Sequence, residues 1–189
     1  MKVVIFGGTF NPVHNGHLYI GEEISKQLDY DRILYVPSNI PPHKNYSGSV
    51  TPSMRLEMLG LALDGDRFAI EDCEILRGGK SYTVDTVEFL YGRYDIDGKI
   101  GLVIGDDLLE NFRSWHRWED LVDMVDLVVV HRTDKERKSC GITHRYLENL
   151  VLPISSRDIR RRVETGGAFR YLVPESVYSY IKTNRLYSG

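Results

Sequence analysis

Short apolar runs rich in β-branched residues alternate along the chain with longer amphipathic stretches. The runs have no polar alternate residue, which is typical of parallel strands buried on both faces. Strand–helix alternation of this kind indicates βαβ units, so we expect an α/β fold with a doubly wound, mostly parallel, Rossmann-like sheet and helices on both faces. The predicted strands are Val3 to Phe6, Ile33 to Val36, Ile100 to Ile104 and Leu127 to Val130, and the predicted helices cover about 16–28, 53–64, 84–92 and 118–125.

The rest of the chain carries weaker patterns. Residues 66–78 are predicted to form one or two short strands, at Phe68-Ala69-Ile70 and Ile75-Leu76. A small C-terminal helical portion is expected, with one helix from about Ser156 to Thr165 and a last helix that starts at Pro174-Glu175. Two segments are predicted to be loops, the Pro- and Gly-containing stretch 38–51 and the charged stretch 132–140.

Length and charge limit the classes of protein to consider. The 189 residues are most simply one domain over 1–189, because domains usually hold about 100 to 200 residues. Lys and Arg number 24 and Asp and Glu 27, a net charge of −3. A general nucleic-acid binder usually has a strong basic excess, so no nucleic-acid partner is expected.

Cysteine usage and the amino terminus predict a cytoplasmic protein. Cys73 and Cys140 are far apart and belong to no CxxC motif or zinc-spaced cluster, so neither a disulfide framework nor a structural metal site is expected. The apolar run before Gly7 is too short for a signal sequence or a membrane span. We expect no contact with a membrane.

The strongest local feature is the segment from Phe6 to His17, which follows the first predicted strand and opens the first helix. An open α/β sheet has its ligand crevice at such a position. Consecutive glycines allow the backbone to approach a ligand closely, and the amides of a helix start attract phosphate. The segment therefore predicts a phosphate site.

Neither common phosphate loop is present, because the segment fits neither GxGxxG nor GxxxxGK[ST]. What remains is a pair of histidines, His14 and His17, whose spacing lets both face one site. Zinc binding would need a third ligand, and none of suitable type lies nearby in the sequence. A structural pair, with one histidine capping the helix and the other exposed, is the remaining alternative to phosphate binding.

The segment Gly8-Thr9-Phe10-Asn11-Pro12-x-His14-x-Gly16-His17 resembles the HxGH signature of the nucleotidyltransferase superfamily. Further motifs follow in the order and spacing of one branch, bacterial nicotinate-nucleotide adenylyltransferase. They are Pro41-Pro42-His43-Lys44, Met54-Arg55-Leu56-Glu57-Met58-Leu59, Ser81-Tyr82-Thr83-Val84-Asp85-Thr86, Gly105-Asp106-Asp107, Trp115 and Ile154-Ser155-Ser156-Arg157-Asp158-Ile159-Arg160.

The resemblance implies attack by the 5′-phosphate of nicotinate mononucleotide on the α-phosphorus of ATP, which gives deamido-NAD and pyrophosphate. ATP and nicotinate mononucleotide would be the small-molecule partners, and Mg²⁺ would be the cofactor, held mainly by phosphate oxygens and water. The attacking phosphate is already an anion, so no protein nucleophile is required. We name no residue as a metal ligand.

The resemblance also implies roles for particular residues, by matching position. His14, His17 and Arg160 would be the catalytic residues, which contact the phosphates, the transition state and the departing pyrophosphate. The expected ATP-binding residues are Gly7, Gly8, Thr9, Phe10, Asp107, Ser155 and Ser156, and the expected acceptor-binding residues are Lys44, Tyr82, Thr83 and Trp115.

Four positions depart from the commonest form of the family pattern, namely Asn11, Asp106, His116 and Arg157. Asp106 and His116 add polar groups beside the expected ring pocket, and they bear on the preference for nicotinate over nicotinamide. The alternatives within the superfamily are adenylyl transfer to nicotinamide mononucleotide or to phosphopantetheine. From another class, a nucleotide-binding sensor without turnover is also an alternative.

Overall fold

The computed structural model describes residues 1–40, 50–132 and 136–188. The strands in these residues are β1 (Val3–Gly8), β2 (Arg32–Pro37), β3 (Phe68–Ile70), β4 (Ile100–Gly105), β5 (Val125–Val130) and β6 (Arg145–Leu147). They form one sheet in the order β3-β2-β1-β4-β5-β6, and every neighbouring pair is parallel. The expected doubly wound α/β sheet is confirmed.

Helices precede, connect and follow these strands. They are α1 (Asn15–Gln27), α2 (Pro52–Ala62), α3 (Cys73–Arg77), α4 (Thr83–Arg93), α5 (Asp106–Leu109), α6 (Trp118–Met124), α7 (Ser156–Glu164) and α8 (Glu175–Thr183), with 3-10 turns at Phe112–Ser114 and Arg170–Leu172. Within the described ranges, no helix is long and apolar enough to cross a membrane.

The predicted strands and long helices agree with the observed elements to within two residues at each boundary. Among the largest differences, β5 begins two residues before Leu127 and β1 continues through the glycines to Gly8. The second short strand predicted for 66–78 is wrong. Ile75 and Leu76 lie in the short helix α3, where the backbone N–H of Leu76 donates to the Asp72 carbonyl at 3.0 Å. The pattern there is too short to distinguish a strand from a single helical turn.

Both faces of the sheet are covered, because alternate side chains of each strand point to opposite sides. Val4 packs in one apolar cluster with α1, α2, α7 and α8, whereas Val3 and Ile5 pack in the other with α4 and α6. The C-terminal helices belong to the first cluster, and α8 is tied to α2 by a hydrogen bond from the Tyr180 hydroxyl to Glu57 of 2.8 Å.

The strand order reverses between β1 and β4, and this reversal sets the position of the ligand crevice. In an open α/β sheet the crevice lies beyond the carboxyl ends of the strands at such a switch point. Here β1 ends at Gly8 and β4 ends at Gly105. The histidine segment and the Gly105-Asp106-Asp107 motif therefore lie on the same edge of the sheet.

Candidate active site

The two histidines lie at the start of α1, directly beyond the carboxyl end of β1. Their rings stack with centroids 3.6 Å apart and planes inclined by 20°. His14 is the N-cap residue of the helix and is buried, and its backbone N–H donates to Nδ1 of His17 at 3.2 Å. Both rings therefore occupy one place at the crevice, as their spacing predicts.

Two glycines make this packing possible. A Cβ atom on Gly16 would lie 3.1 Å from Nδ1 of His14, and one on Gly8 would lie 3.0 Å from the Phe10 ring. Phe10 in turn is buried and packs edge-on against the His17 ring, with centroids 5.0 Å apart. A Cβ atom at either glycine would force the neighbouring ring to shift by a few tenths of an ångström.

Both histidines are neutral at pH 7. Burial, with the positive charge of Arg132, lowers the pKa of His14 to about 4, and burial with the charges of His14 and Arg132 brings the pKa of His17 well below its ordinary value. Because Nδ1 of His17 accepts the bond from the His14 backbone, the proton of the neutral ring is on Nε2. His17 is thus a hydrogen-bond donor through Nε2–H.

The start of α7 packs against the histidine segment from the other side. Ser155 caps this helix, with its hydroxyl accepting the Asp158 N–H at 3.1 Å. The Ser156 hydroxyl donates to the Pro12 carbonyl at 2.8 Å, and Nη1 of Arg160 donates to the Asn11 carbonyl at 2.6 Å. A helix start and a guanidinium therefore lie beside the two histidines, an arrangement that suits a polyphosphate.

Arg132 adds a second cation at this site. It follows β5, and its charge lowers the pKa of both histidines. Its backbone N–H donates to Oδ1 of the fully buried Asp106 at 3.1 Å, and its guanidinium pairs with Asp107 at 3.2 Å. The Asp106 carboxylate thus supports Arg132, and its second oxygen lies 4.0 Å from Nδ1 of His131.

Arg55 joins the loops that follow the first two strands. It lies in α2 and is completely buried. Its Nη1 donates to the carbonyls of Thr9 at 2.8 Å and Ser38 at 2.6 Å, and Nη2 reaches the carbonyl of Asn39 at 3.4 Å. The guanidinium therefore holds the histidine loop and the β2 loop in a fixed relation.

Three of the four residues expected to bind the acceptor, Tyr82, Thr83 and Trp115, form a second group around the start of α4. Thr83 is the first residue of this helix and Tyr82 its N-cap. The Tyr82 ring packs against His116 with centroids 4.4 Å apart, and the adjacent Trp115, half-buried, stacks on Phe112 at 4.9 Å. An aromatic surface thus flanks a helix start, which suits a planar ring with a carboxylate.

The structure therefore brings most of the predicted residues together in two groups. The group around the histidines includes Phe10 through ring contact with His17, Gly8 beneath the Phe10 ring, and Ser156 and Arg160 through hydrogen bonds to carbonyls of the histidine loop. Gly7 is exposed, and a Cβ atom built on it would meet open space. The predicted Lys44 lies outside the described residues, as does the rest of the Pro41-Pro42-His43-Lys44 motif.

Sequence reasoning missed the two arginines that organise this region. Arg132 belongs to a stretch whose composition indicates a solvated loop, and its position is set by the parallel pairing of β5 with β4. Arg55 had a signal that was available, since a cation between Met54 and Met58 in an apolar helical pattern marks either a buried ion pair or a buried set of carbonyls.

No group of three or more His, Cys, Asp or Glu side chains converges on a possible metal position in the described ranges. The donors gathered here are imidazoles, guanidinium groups, hydroxyls and backbone amides. This set of donors suits an anion rather than a bare metal ion.

Comparison with known proteins agrees with these features. The family model described as cytidylyltransferase-like matches residues 5–162. A protein of Borrelia garinii subsp. bavariensis named probable nicotinate-nucleotide adenylyltransferase is 45% identical over 188 residues, with 99% of this chain and 95% of its own covered. A protein of Treponema pallidum with the same name is 37% identical over 202 residues, with 99% of both chains covered.

Solved structures share the fold. The nicotinic acid mononucleotide adenylyltransferase of Plasmodium falciparum complexed with NaAD superposes with a TM-score of 0.79 at 18% identity, covering 98% of this chain and 97% of that one. A putative nicotinate-nucleotide adenylyltransferase from Vibrio parahaemolyticus has a TM-score of 0.71 at 20% identity, covering 96% and 99%. With a family model over most of its length and full-length relatives well above 30% identity, this chain belongs to the cytidylyltransferase-like family and, within it, to the nicotinate-nucleotide adenylyltransferases.

Proposed function

We propose that the protein transfers the adenylyl group of ATP to nicotinate mononucleotide, giving deamido-NAD and pyrophosphate as a step of NAD biosynthesis. The observation that carries this proposal is the stacked pair His14 and His17 beside Arg160 and the start of α7. The full-length relatives that bear the name nicotinate-nucleotide adenylyltransferase support the choice of reaction.

The reaction suits the groups that are present. An oxygen of the acceptor's 5′-phosphate attacks the α-phosphorus of ATP, the bond from that phosphorus to the bridging oxygen breaks, and pyrophosphate leaves with the electron pair. Because the nucleophile is already ionised, no side chain has to remove a proton. Catalysis then comes from in-line positioning and from stabilisation of the charge that develops on the phosphates.

Each residue of the histidine group has a role in this proposal. His17 donates through Nε2–H to an oxygen of the reacting phosphate, and His14 lies against it to contact the ATP phosphates. Arg160 and the amides at the start of α7, with Ser155 and Ser156, receive the departing pyrophosphate. Gly7, Gly8, Thr9 and Phe10 line the nucleotide groove, and Asp107 accepts a ribose hydroxyl.

The acceptor occupies the second group of residues. Trp115 and Tyr82 supply ring surfaces, and Thr83 with the first amides of α4 receives the nicotinate carboxylate. We include Lys44 as a phosphate contact from the resemblance alone. Asp106 is fully buried and accepts the Arg132 N–H, so in this proposal it does not face the nicotinate carboxylate.

We propose Mg²⁺ as the cofactor, entering as MgATP and held by phosphate oxygens and water. When bound, it would neutralise charge on the phosphates. We further propose that the protein works in the reducing cytoplasm, where its two free cysteines, Cys73 and Cys140, remain thiols.

The test is incubation of the purified protein with MgATP and, in separate reactions, nicotinate mononucleotide, nicotinamide mononucleotide or phosphopantetheine. Products are identified by mass spectrometry, and pyrophosphate release gives the rates. We expect deamido-NAD to form much faster than the other products. NAD or dephospho-coenzyme A as the main product would contradict the proposed acceptor, and absence of any product despite ATP binding would indicate a sensor.

A further inference from the structure

A buried carboxylate lies next to the proposed acceptor residues without touching the reacting groups assigned above. Glu74, in α3, is only 8% exposed. The Thr86 hydroxyl donates to its Oε1 at 2.6 Å, and the Ser81 hydroxyl is also hydrogen-bonded to its carboxylate. Nη2 of Arg77 donates to the Thr86 hydroxyl at 3.2 Å. Glu74 therefore holds two hydroxyls in place from one buried position.

These two hydroxyls lie on either side of the start of α4. Ser81 directly precedes the N-cap Tyr82, and Thr86 lies in the first turn of the helix. The Ser81 oxygen accepts the backbone N–H of Asn39 at 2.9 Å, and the Ser81 N–H donates to the Ile40 carbonyl at 3.0 Å. The same hydroxyl that bonds to Glu74 thus ties the helix start to the loop after β2.

The network continues to the histidine loop. Arg55 bonds the carbonyls of Ser38 and Asn39 on one side and the carbonyl of Thr9 on the other. The start of α4 is therefore connected to the histidine loop through partly buried hydrogen bonds. A substitution of Glu74 would therefore affect the start of α4, where Tyr82 and Thr83 lie.

We propose that Glu74 is a positioning residue for the acceptor subsite, fixing the start of α4 through Ser81 and Thr86. The proposal rests on the proposed function, because it takes the start of α4 to be the place where the nicotinate carboxylate binds. Glu74 contacts no substrate. Its effect is on how well Tyr82, Thr83 and the first amides of α4 are oriented before the acceptor arrives.

The local chemistry explains why a carboxylate is used. A single ionised carboxylate has several acceptor sites, so it can receive both hydroxyls at once, whereas an amide has only one acceptor oxygen. Burial raises the pKa of Glu74, and the hydrogen bonds from Thr86 and Ser81 together with the charge of Arg77 oppose that effect. The two hydroxyls therefore both satisfy the buried carboxylate and take their own orientation from it.

A second buried carboxylate, three residues earlier, provides a matched control. Glu71 is 2% exposed and accepts the Tyr94 hydroxyl at 2.8 Å, with Nη1 of Arg93 at 3.7 Å. Its partners lie at the far end of α4, away from Tyr82 and Thr83. A loss of stability should therefore follow from substitution of either glutamate, whereas a change in acceptor binding should follow only from substitution of Glu74.

The experiment measures kcat and KM of wild type, Glu74→Ala, Glu74→Gln and Glu71→Gln, with each substrate varied in turn, and the melting temperature of each. For Glu74→Ala we expect the acceptor KM to rise about tenfold, with the KM of ATP and kcat within about twofold. Glu74→Gln keeps one acceptor oxygen, so its acceptor KM should rise by about threefold. Glu71→Gln should leave both KM values unchanged.

The outcomes separate this proposal from the function on which it depends. A wild-type protein with no activity toward nicotinate mononucleotide would contradict both the proposed function and the positioning role of Glu74. An active wild type with an unchanged acceptor KM in Glu74→Ala, or with equal increases in the KM of both substrates, would overturn the positioning role alone.

If Glu74→Ala does not fold, the pair Thr86→Val and Thr86→Ser gives the same information. Thr86→Val keeps the shape and removes the hydroxyl that Glu74 receives, whereas Thr86→Ser keeps the hydroxyl. We expect a raised acceptor KM only in Thr86→Val. Equal acceptor KM values in the two variants would overturn the proposal.

Discussion

The two histidines at the start of α1 are uncharged imidazoles, and the tautomer of His17 is fixed, which determines how it would act in the proposed reaction. The bond from the His14 N–H to Nδ1 of His17 leaves Nε2–H as the donor of His17. A neutral donor binds the ground-state phosphates only moderately and gains strength as negative charge builds on the transferred group. Two predictions about single residues follow from this state.

Replacement of His17 by alanine should lower kcat by about a hundredfold to a thousandfold while the Kd of MgATP changes by less than about threefold, since its hydrogen bond matters most in the transition state. Single-turnover rates and equilibrium titration with MgATP measure the two quantities. His144→Asn is the control, because His144 bonds to the carbonyls of Ile142 and Lys138 instead. Comparable losses in rate and affinity would indicate a structural histidine.

Folding stability should depend on pH through His14. The folded protein holds the pKa of this histidine at about 4, below its ordinary value of 6.5. Between these two values the unfolded chain binds a proton that the folded protein does not bind, so stability is complete above the higher value and is lost as the pH falls through the window. We expect a loss of about 2 kcal/mol from this group between about pH 7.5 and about pH 5.

Urea unfolding of wild type and His14→Asn at both pH values measures this contribution. The asparagine side chain does not titrate in this range, so the free energy of unfolding of the variant should fall less than that of wild type, by the amount that His14 contributes. An equal fall in the two proteins would contradict the burial of a neutral His14.

Trp115 is expected to stack on the acceptor ring. Trp115→Ala should raise the acceptor KM by about tenfold and leave the KM of ATP nearly unchanged, because the loss of one aromatic stacking partner costs on the order of 1 kcal/mol. Trp118 belongs to the same apolar cluster and packs with Arg113. Trp118→Ala should therefore lower the melting temperature without an effect on the acceptor KM, and equal acceptor KM values in the two variants would argue against the stacking role.

Among the elements, α7 is the helix whose start is most directly bonded to the histidine loop. Its first residues combine a capping serine, a serine that bonds to the Pro12 carbonyl and an arginine one turn later that bonds to the Asn11 carbonyl. The helix start is thereby fixed against the histidine loop. The start of a helix is also a favourable position for an anion.

Ser155→Ala should lower the free energy of unfolding by about 1 kcal/mol, because the Asp158 N–H loses its capping partner. Denaturant unfolding measures the change. Ser53→Ala in α2 is the matched control, since α2 is capped by Thr51 and Ser53 is exposed. An equal cost in both variants would show that the capping bond of Ser155 contributes nothing specific.

For the molecule as a whole, we propose that the metal enters with the substrate and that the fold does not depend on it. The two apolar clusters on the faces of the sheet hold the protein together, and no group of three metal-ligating side chains was found in residues 1–40, 50–132 and 136–188. The fold should therefore be insensitive to chelation, in contrast to proteins whose folding depends on a structural metal.

Treatment with EDTA should abolish pyrophosphate release and leave the melting temperature of the ligand-free protein within about 1 °C of its original value. Addition of excess Mg²⁺ should restore the activity. Addition of MgATP at about a hundred times its Kd should stabilise the fold by about 2.7 kcal/mol. A melting temperature lowered by EDTA alone would indicate a metal bound to the protein itself.

Features encoded by near neighbours in the chain were predictable without the structure. The strands β1, β2, β4 and β5 are continuous apolar runs, and the long helices between them follow from the amphipathic pattern. Of the short elements, β3 was predicted from the sequence, whereas α5 and β6 were not. β6 and α5 span only three and four residues, which is too few for a periodic pattern, and the turn of α3 was mistaken for a strand.

The residues of the candidate site likewise fall into those that local sequence predicted and those that it did not. The histidine segment was recognisable because Gly8, His14, Gly16 and His17 are close together in the chain, where local geometry alone brings them to a helix start. Arg132 and Arg55 were not assigned, because their places depend on which strands are neighbours. The hydrogen bond from Arg160 to Asn11, which spans 149 residues, also depends on which segments the fold brings together.

Local pattern thus determined the class of fold, the loop that we propose to bind phosphate and the chemistry of its side chains. The order of the strands, the burial of Arg55 and Glu74, and the pairing of Arg132 with Asp107 were decided by tertiary structure. The physical reason is the separation along the chain over which each kind of interaction acts. Backbone preference and hydrophobic period act over a few residues, whereas burial and electrostatic interactions depend on which distant segments the packed sheet brings together.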